Sequence, residues 1–239
     1  MSNGSWVSGA RAGSTSLVVL LGALGLGAPL LALAQDDADS AVFRTGLGVT
    51  SLKFTDRSAS TSTHTFGIVD FGVSKSFAGA FVGFDTELPF NQGGTPTNDE
   101  IVQTSVADFT LGYGFKNQLS VFTGWHYAKY DFWRTGALFS RQTDKGPYLG
   151  LGYAFSVGKT GQLSASLAYG DFDSDSGAGP GKSTGTSASL TWSGDFRHGL
   201  GYYVKLRMLN YNFELDSTPP SGGRDVKKSI TTLAVGVVY

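Results

Sequence analysis

The chain has 239 residues, with 18 Lys and Arg against 19 Asp and Glu, a formal net charge of −1, and no cysteine. That balance gives no basic face for nucleic acid, and the lack of thiols excludes a disulfide scaffold and a thiolate metal site. Thirty-four glycines and 13% aromatic residues are both high, which suits a thin β-wall better than an ordinary globular core.

The first 34 residues read as a secretory signal. Arg11 precedes an apolar stretch from Leu17 to Ala34, and Ala32-Leu33-Ala34 offers a small-x-small cleavage site before Gln35, Asp36 and Asp37. A retained transmembrane helix is the competing reading, because the stretch nearly spans a bilayer. Gly22, Gly25, Gly27 and Pro29 weaken such a helix. The expectation is a cleaved signal over 1–34 and one β domain over 35–239.

Beyond the signal, alternation of apolar and small or polar residues marks ten strands. The first covers about 42–54, with Phe43, Leu47 and Val49 facing one way and Arg44, Gly46 and Gly48 the other. The second covers about 64–77, with Val69, Phe71 and Val73 opposite Ile68, Asp70 and Gly72. After Ala78-Gly79 the third covers about 80–90, with Val82, Phe84 and Leu88 opposite Phe81, Asp85 and Glu87. The fourth, about 101–115, sets Phe109, Leu111 and Tyr113 against Asp108, Thr110 and Gly112. The fifth, about 119–130, sets Val121, Trp125 and Tyr127 against Ser120, Gly124 and His126. The sixth and seventh, about 147–157 and 162–172, carry Leu149, Leu151, Tyr153, Leu163, Leu167 and Tyr169 outward. The eighth and ninth are about 184–193 and 200–214, the ninth with Lys205 and Arg207 on its inner face. The tenth closes the sequence, with Leu233, Val235, Val237 and Tyr239 in one row and Thr232, Ala234 and Gly236 in the other.

The connections alternate. Those near 78, 116, 159 and 196 are short, and those near 58, 95, 138, 177 and 221 are expected to be long loops. An even strand number with short turns at one end and long loops at the other is the pattern of an outer-membrane barrel. Backbone groups in lipid must all be paired, so such a sheet has to close on itself. The expected fold is all-β: a closed antiparallel up-and-down transmembrane β-barrel of ten strands, with eight or twelve as the alternatives. Two aromatic belts are expected, with Phe77, Phe81, Phe115, Tyr202, Tyr203 and Tyr239 at the short-turn end and Phe90, Trp125, Tyr127, Tyr169 and Phe213 at the other.

The strings LGYGF at 111–115, LGLG at 149–152 followed by Tyr153, and the closing VGVVY resemble the bacterial outer-membrane β-barrel domains of the OmpA-type and opacity-type group. The resemblance covers most of the chain after the signal as a pattern, and many of those relatives have eight strands. It implies export to the bacterial outer membrane. It also implies that Leu233, Val235, Val237 and Tyr239 form the signal read by the barrel assembly machinery, and that outer-membrane lipid and lipopolysaccharide are partners.

The inner face is expected to hold Arg44, Asp70, Asp85, Glu87, Asp108, His126, Lys205 and Arg207. Charges withdrawn from water must pair or hydrate, so these residues should form a lumen network. Ten strands lie near the size at which side chains fill the bore. The leading function is a structural, porin-like outer-membrane protein with narrow passive permeation of small polar solutes. A surface adhesion or recognition barrel acting through its outer loops is the alternative. A membrane-embedded lipid or peptide hydrolase centred on His126 is the third reading. No serine stands two residues from His126, so no catalytic residue is assigned. No His/Asp/Glu cluster has metal-ligand spacing. Asp171, Asp173 and Asp175 have the start of a calcium-loop spacing without its later glutamate, so no metal or cofactor is assigned.

Tyr239→Ser should lower the yield of assembled barrel in the outer membrane several-fold while leaving the unfolding midpoint of barrel already assembled nearly unchanged. Heat-modifiable gel mobility of membrane fractions, beside denaturant unfolding of refolded protein, separates the two effects. Normal assembly of this variant would remove the signal role from the terminal row.

Overall fold

The structure, a computed structural model, describes residues 41–55, 61–90, 93–94, 100–134, 137–158, 161–177, 179–197, 200–215 and 226–239. The expected signal segment lies outside these residues. The strands are β1 (Ala41–Thr55), β2 (Thr61–Phe77), β3 (Ala80–Pro89), β4 (Gly93–Gly94), β5 (Glu100–Gly114), β6 (Leu119–Arg134), β7 (Ala137–Val157), β8 (Gly161–Ser176), β9 (Gly179–Arg197), β10 (Leu200–Leu215) and β11 (Val226–Val238). β4 is a two-residue pairing onto Ile101 and Val102 of β5. The other ten make the wall, each antiparallel to its neighbours, in the ring order β3-β2-β1-β11-β10-β9-β8-β7-β6-β5.

Closure comes from β3 pairing with β5 through Ala80↔Tyr113 to Glu87↔Val106. On the other side of β2, β1 pairs with β11 over twelve positions from Arg44↔Val238 to Thr55↔Lys227. The backbones of Phe43 and Tyr239 bond each other in both directions, at 2.7 and 2.8 Å. The expected closed antiparallel barrel of ten wall strands is what forms. At the short-turn end, Ala78 and Gly79 both have positive φ, 48° and 91°, the backbone of a two-residue turn whose twist matches its strands.

The opposite end differs from the expectation. The connections near 138 and 177 are not long loops. Arg134 pairs with Ala137 and Ser176 with Gly179, so the chain turns within a few residues. β7 runs 21 residues from Ala137, about ten residues before the expected start. The reason lies in which faces meet apolar surroundings. Ser140-Arg141-Gln142-Thr143-Asp144-Lys145 is polar on both faces, so it carries no hydrophobic period even though its backbone ladder continues.

The exterior is an apolar belt. Leu47, Val49, Leu149, Leu151, Leu167, Leu233 and Val235 each keep more than half of their surface exposed. A continuous exposed girdle of this size marks a non-aqueous environment. Most of the expected belt aromatics face outward. Phe81, Tyr203 and Phe213 do not: all three are buried inside the barrel, because they have the parity of Asp85, Lys205 and Arg207 on their own strands.

The interior explains the glycines. Large rings abut glycines: Phe81 meets Gly112, Phe122 meets Gly150, Tyr203 meets Gly46 and Gly236, and Phe172 meets Gly170. A Cβ at Gly170 would meet three carbons of the Phe172 ring within 3.0 Å and no other group as close. Each ring takes the volume its neighbour gives up, which brings the bore to packed density. Gly170→Ala should therefore destabilise the barrel by about 1–3 kcal/mol through overpacking, and Phe172→Leu in the same chain should recover part of that loss. Denaturant unfolding of the two single variants and the double variant measures the coupling; additive losses would place the strain elsewhere.

Candidate functional site: a charged belt across the lumen

All eight inner residues expected from the alternation lie inside the barrel and are at most 6% exposed. They form one connected network. On β1, Arg44 reaches Asp70 of β2 at 3.5 Å and Asp85 of β3. Lys205 of β10 contacts Asp70 and lies 3.0 Å from Glu87 of β3. Arg207, two residues along β10, donates to Glu87 at 3.2 Å and to Asp108 of β5 at 2.8 Å. Asp108 also contacts Nδ1 of His126, directly opposite it on β6.

The Arg207–Asp108 contact fixes the character of the lumen. β10 and β5 stand five steps apart in either direction around a ring of ten, so this pair spans the full diameter. Both side chains are almost wholly buried. Neutral groups complete the belt: Tyr203 donates to Asp70 at 2.6 Å, and Thr232 donates to Glu87 at 3.2 Å. Thr50 and Thr232 share a further bond at 2.9 Å. Four acids face three bases, with His126 supplying the fourth positive charge when protonated.

A second crossing had no counterpart in the sequence reading. Lys228 of β11 contacts Asp144 of β7, and both are buried. Asp144 also accepts from Gln142 at 3.0 Å and Ser174 at 2.6 Å. The ammonium of Lys228 lies 4.7 Å from the centre of the Tyr130 ring and 5.4 Å from that of Phe213, a favourable placement for a desolvated cation. Both residues fell in segments expected to be loops. The signal was present all the same: Asp144 keeps the inward parity of Gly146 and Tyr148, and Lys228 that of Ile230 and Thr232.

Between the two crossings lies an apolar layer that includes Leu52, Phe66, Ile68, Val102, Leu209 and Ile230. The two halves of the wall are unlike. Inward positions of β8 and β9 are small and hydroxylated, among them Ser164, Ser166, Ser187, Ser189 and Thr191. There, a cavity of about 30 Å³ is bounded by His126, Arg207, Tyr148 and Phe172 on one side and Ser166, Ser187 and Ser189 on the other. That is room for about two waters.

For the hydrolase reading, Asp108 orients His126 as a carboxylate orients a catalytic imidazole. Nε2 of His126 has no hydrogen-bond partner among the described residues, so no hydroxyl is engaged as a nucleophile. Of the other histidines, His64 is buried on β2, and His198 lies outside the described residues. Asp171, Asp173 and Asp175 project from the outer face of β8, where Lys182 pairs with Asp173 at 2.6 Å. Beyond the belt on β6, Asp131 holds Lys129 at 2.8 Å and Arg141 at 2.6 Å. Partial burial pushes the Asp131 carboxyl up, and the two cations outweigh that and hold it below its ordinary value.

No protein-family model matches the chain, and no curated protein sequence matches it. Solved structures do. The chain is similar to the outer membrane protease OmpT from Escherichia coli at 12% identity and a TM-score of 0.60, over 85% of this chain and 97% of that one. At that identity the likeness establishes a shared barrel fold and nothing of the chemistry. The toluene transporter TodX from P. putida aligns at 10% identity over 84% of this chain and 89% of its own, with a TM-score of 0.37. The translocator domain of the autotransporter NalP from Neisseria meningitidis aligns at 10% over 85% and 89%, at 0.41. The chain thus has the closed antiparallel barrel architecture of outer-membrane proteins.

Removing one partner of the diametric pair leaves a buried charge uncompensated. Asp108→Ala should cost about 3–5 kcal/mol, while replacing Asp108 and Arg207 together by apolar residues of similar volume should cost much less. Unfolding midpoints of the refolded variants test this; equal losses in the two would mean that the pair does not act as a unit.

Proposed function

We propose that this protein is a structural barrel of the bacterial outer membrane, porin-like in architecture, whose bore is closed at rest and admits only the smallest polar solutes. One observation carries the reading: Arg207 meets Asp108 across the full width of the lumen. A standing water column would have to separate these charges and expose the apolar layer above them. The path of least resistance runs along β8 and β9, where hydroxyls line the wall and no lumen ion pair ends among the described residues. The short turns face the periplasm and the extended hairpins face outward, as in barrels of this architecture. The likeness to OmpA-type and opacity-type domains enters as a pattern of strands and no more. The reading includes no catalytic step.

Single-channel recording in planar bilayers tests it. Wild-type protein should show brief, small openings and no long-lived open level. Arg207→Ala combined with Lys228→Ala removes both crossings and should raise conductance several-fold. A large, steady conductance from wild-type protein would overturn the closed bore. Silence from both proteins would overturn the permeation.

A further inference from the structure

The outward face of the wall is not uniform at the hairpin end. On the β6 to β9 side, cations are answered by aspartates: Lys129 and Arg141 by Asp131, and Lys182 by Asp173. On the β1 to β11 side they are not. Lys53 and Lys227 are exposed and form no ion pair among the described residues. Lys53 stands opposite Ser229, and Lys227 is two residues along the same face of β11. The two are therefore diagonal neighbours on adjacent strands, about 7–8 Å apart at their backbones.

Around them the wall is concave. A depression of about 480 Å³ is bounded by Lys53, Lys227, Thr55, Asn210, Asn212 and Ser229, and none of the described residues that line it is acidic. Glu214, the next outward residue of β10, stands in register with Lys182 and diagonal to Lys227, and it lies outside the lining of the depression. The groups present are two ammonium donors flanked by amides and hydroxyls, a set that suits a phosphate with sugar hydroxyls beside it. A site of that volume accommodates a monosaccharide-sized group.

Height identifies the source of that phosphate. The last exposed apolar residues below the depression are Val49 on β1, Leu233 on β11 and Met208 on β10. Lys53 lies four residues past Val49, and Lys227 six past Leu233. At about 3.3 Å per residue and a strand tilt of about 40°, that is about 10–15 Å beyond the belt. It is the layer of lipid headgroups, and long lysine stems can follow the wall to reach it.

We propose that this depression is a binding site for the phosphorylated sugar headgroup of an outer-leaflet glycolipid, with Lys53 and Lys227 clamping one phosphate and Asn210 and Asn212 holding its sugar. Tyr211 and Lys228 of the inward row also border the depression, but the four clamp residues Lys53, Lys227, Asn210 and Asn212 all face outward, so failure of the site would leave the reading of the bore standing.

Lipid titration of the purified barrel in detergent micelles tests it, with bound lipid counted by native mass spectrometry. The probes are a phosphorylated lipid A-type glycolipid, the same glycolipid stripped of phosphate, and inorganic phosphate. Wild-type protein should retain one phosphorylated glycolipid, with affinity about ten-fold above that of Lys53→Gln/Lys227→Gln. Lys182→Gln, on the acidic side, should bind as wild type does. The stripped glycolipid should bind wild-type protein no better than the double variant binds the phosphorylated one. Three results would overturn the site: full binding by the double variant, an equal loss in Lys182→Gln, or displacement of the lipid by millimolar inorganic phosphate. A lowered unfolding midpoint of the lipid-free double variant would also overturn it, by making the loss structural.

Discussion

Arg207 sits where every other feature of this barrel is decided. A β-wall in lipid must close, and closure turns half of its side chains into a confined space. With ten strands that space is wider than the eight-strand bore that side chains just fill and far narrower than a sixteen-strand channel. A long cation that reaches the far wall resolves the conflict, because guanidinium geometry lets it satisfy Glu87 and Asp108 together. Once Arg207 spans the bore, Lys205 is free to serve Asp70 and Glu87, and Arg44 takes Asp85. The network is a chain of shared partners, so its members stabilise one another more than any single pair would.

The glycine content follows from the same geometry. Charged crossings occupy the middle of the bore, and the space beside them has to be filled by rings held close to the wall. Tyr203 can lie against β1 and β11 only because Gly46 and Gly236 have no Cβ. Its hydroxyl then reaches Asp70. Packing and electrostatics thus meet in one side chain, which ties a feature of overall composition to a particular contact.

Parity along each strand was legible in the sequence, and with it the number of wall strands and the inward identity of Asp70, Asp108 and Arg207. Partner choice was not. Lys205 meets Asp70 three strands away, a pairing set by the stagger of the closed sheet and by no local pattern. The upper hairpins were also hidden. Where the exterior leaves the apolar belt, outward residues turn polar and the hydrophobic period disappears, although the backbone ladder runs on through Asp131↔Arg141. Asp144 and Lys228 were misplaced for that reason, since both sit on strand ends whose outer neighbours are polar. Following parity past the last apolar residue, as far as Asp144 on β7 and Lys228 on β11, recovers them.

The second crossing changes how the first can yield. Arg207–Asp108 joins β10 to β5 along a diameter, and Lys228–Asp144 joins β11 to β7, four steps apart, so the two bridges brace the ring along different chords. Releasing one still leaves the other holding two distant strands at a fixed distance, with the apolar layer that includes Leu52, Ile68 and Ile230 between the bridges. Opening by rigid separation of the walls would break two buried ion pairs and wet that layer at once. Side-chain motion along β8 and β9 breaks neither bridge, because serine and threonine hydroxyls can exchange partners within the wall. The bracing charges and the small hydroxylated inner face of β8 and β9 thus fall on different arcs of one ring.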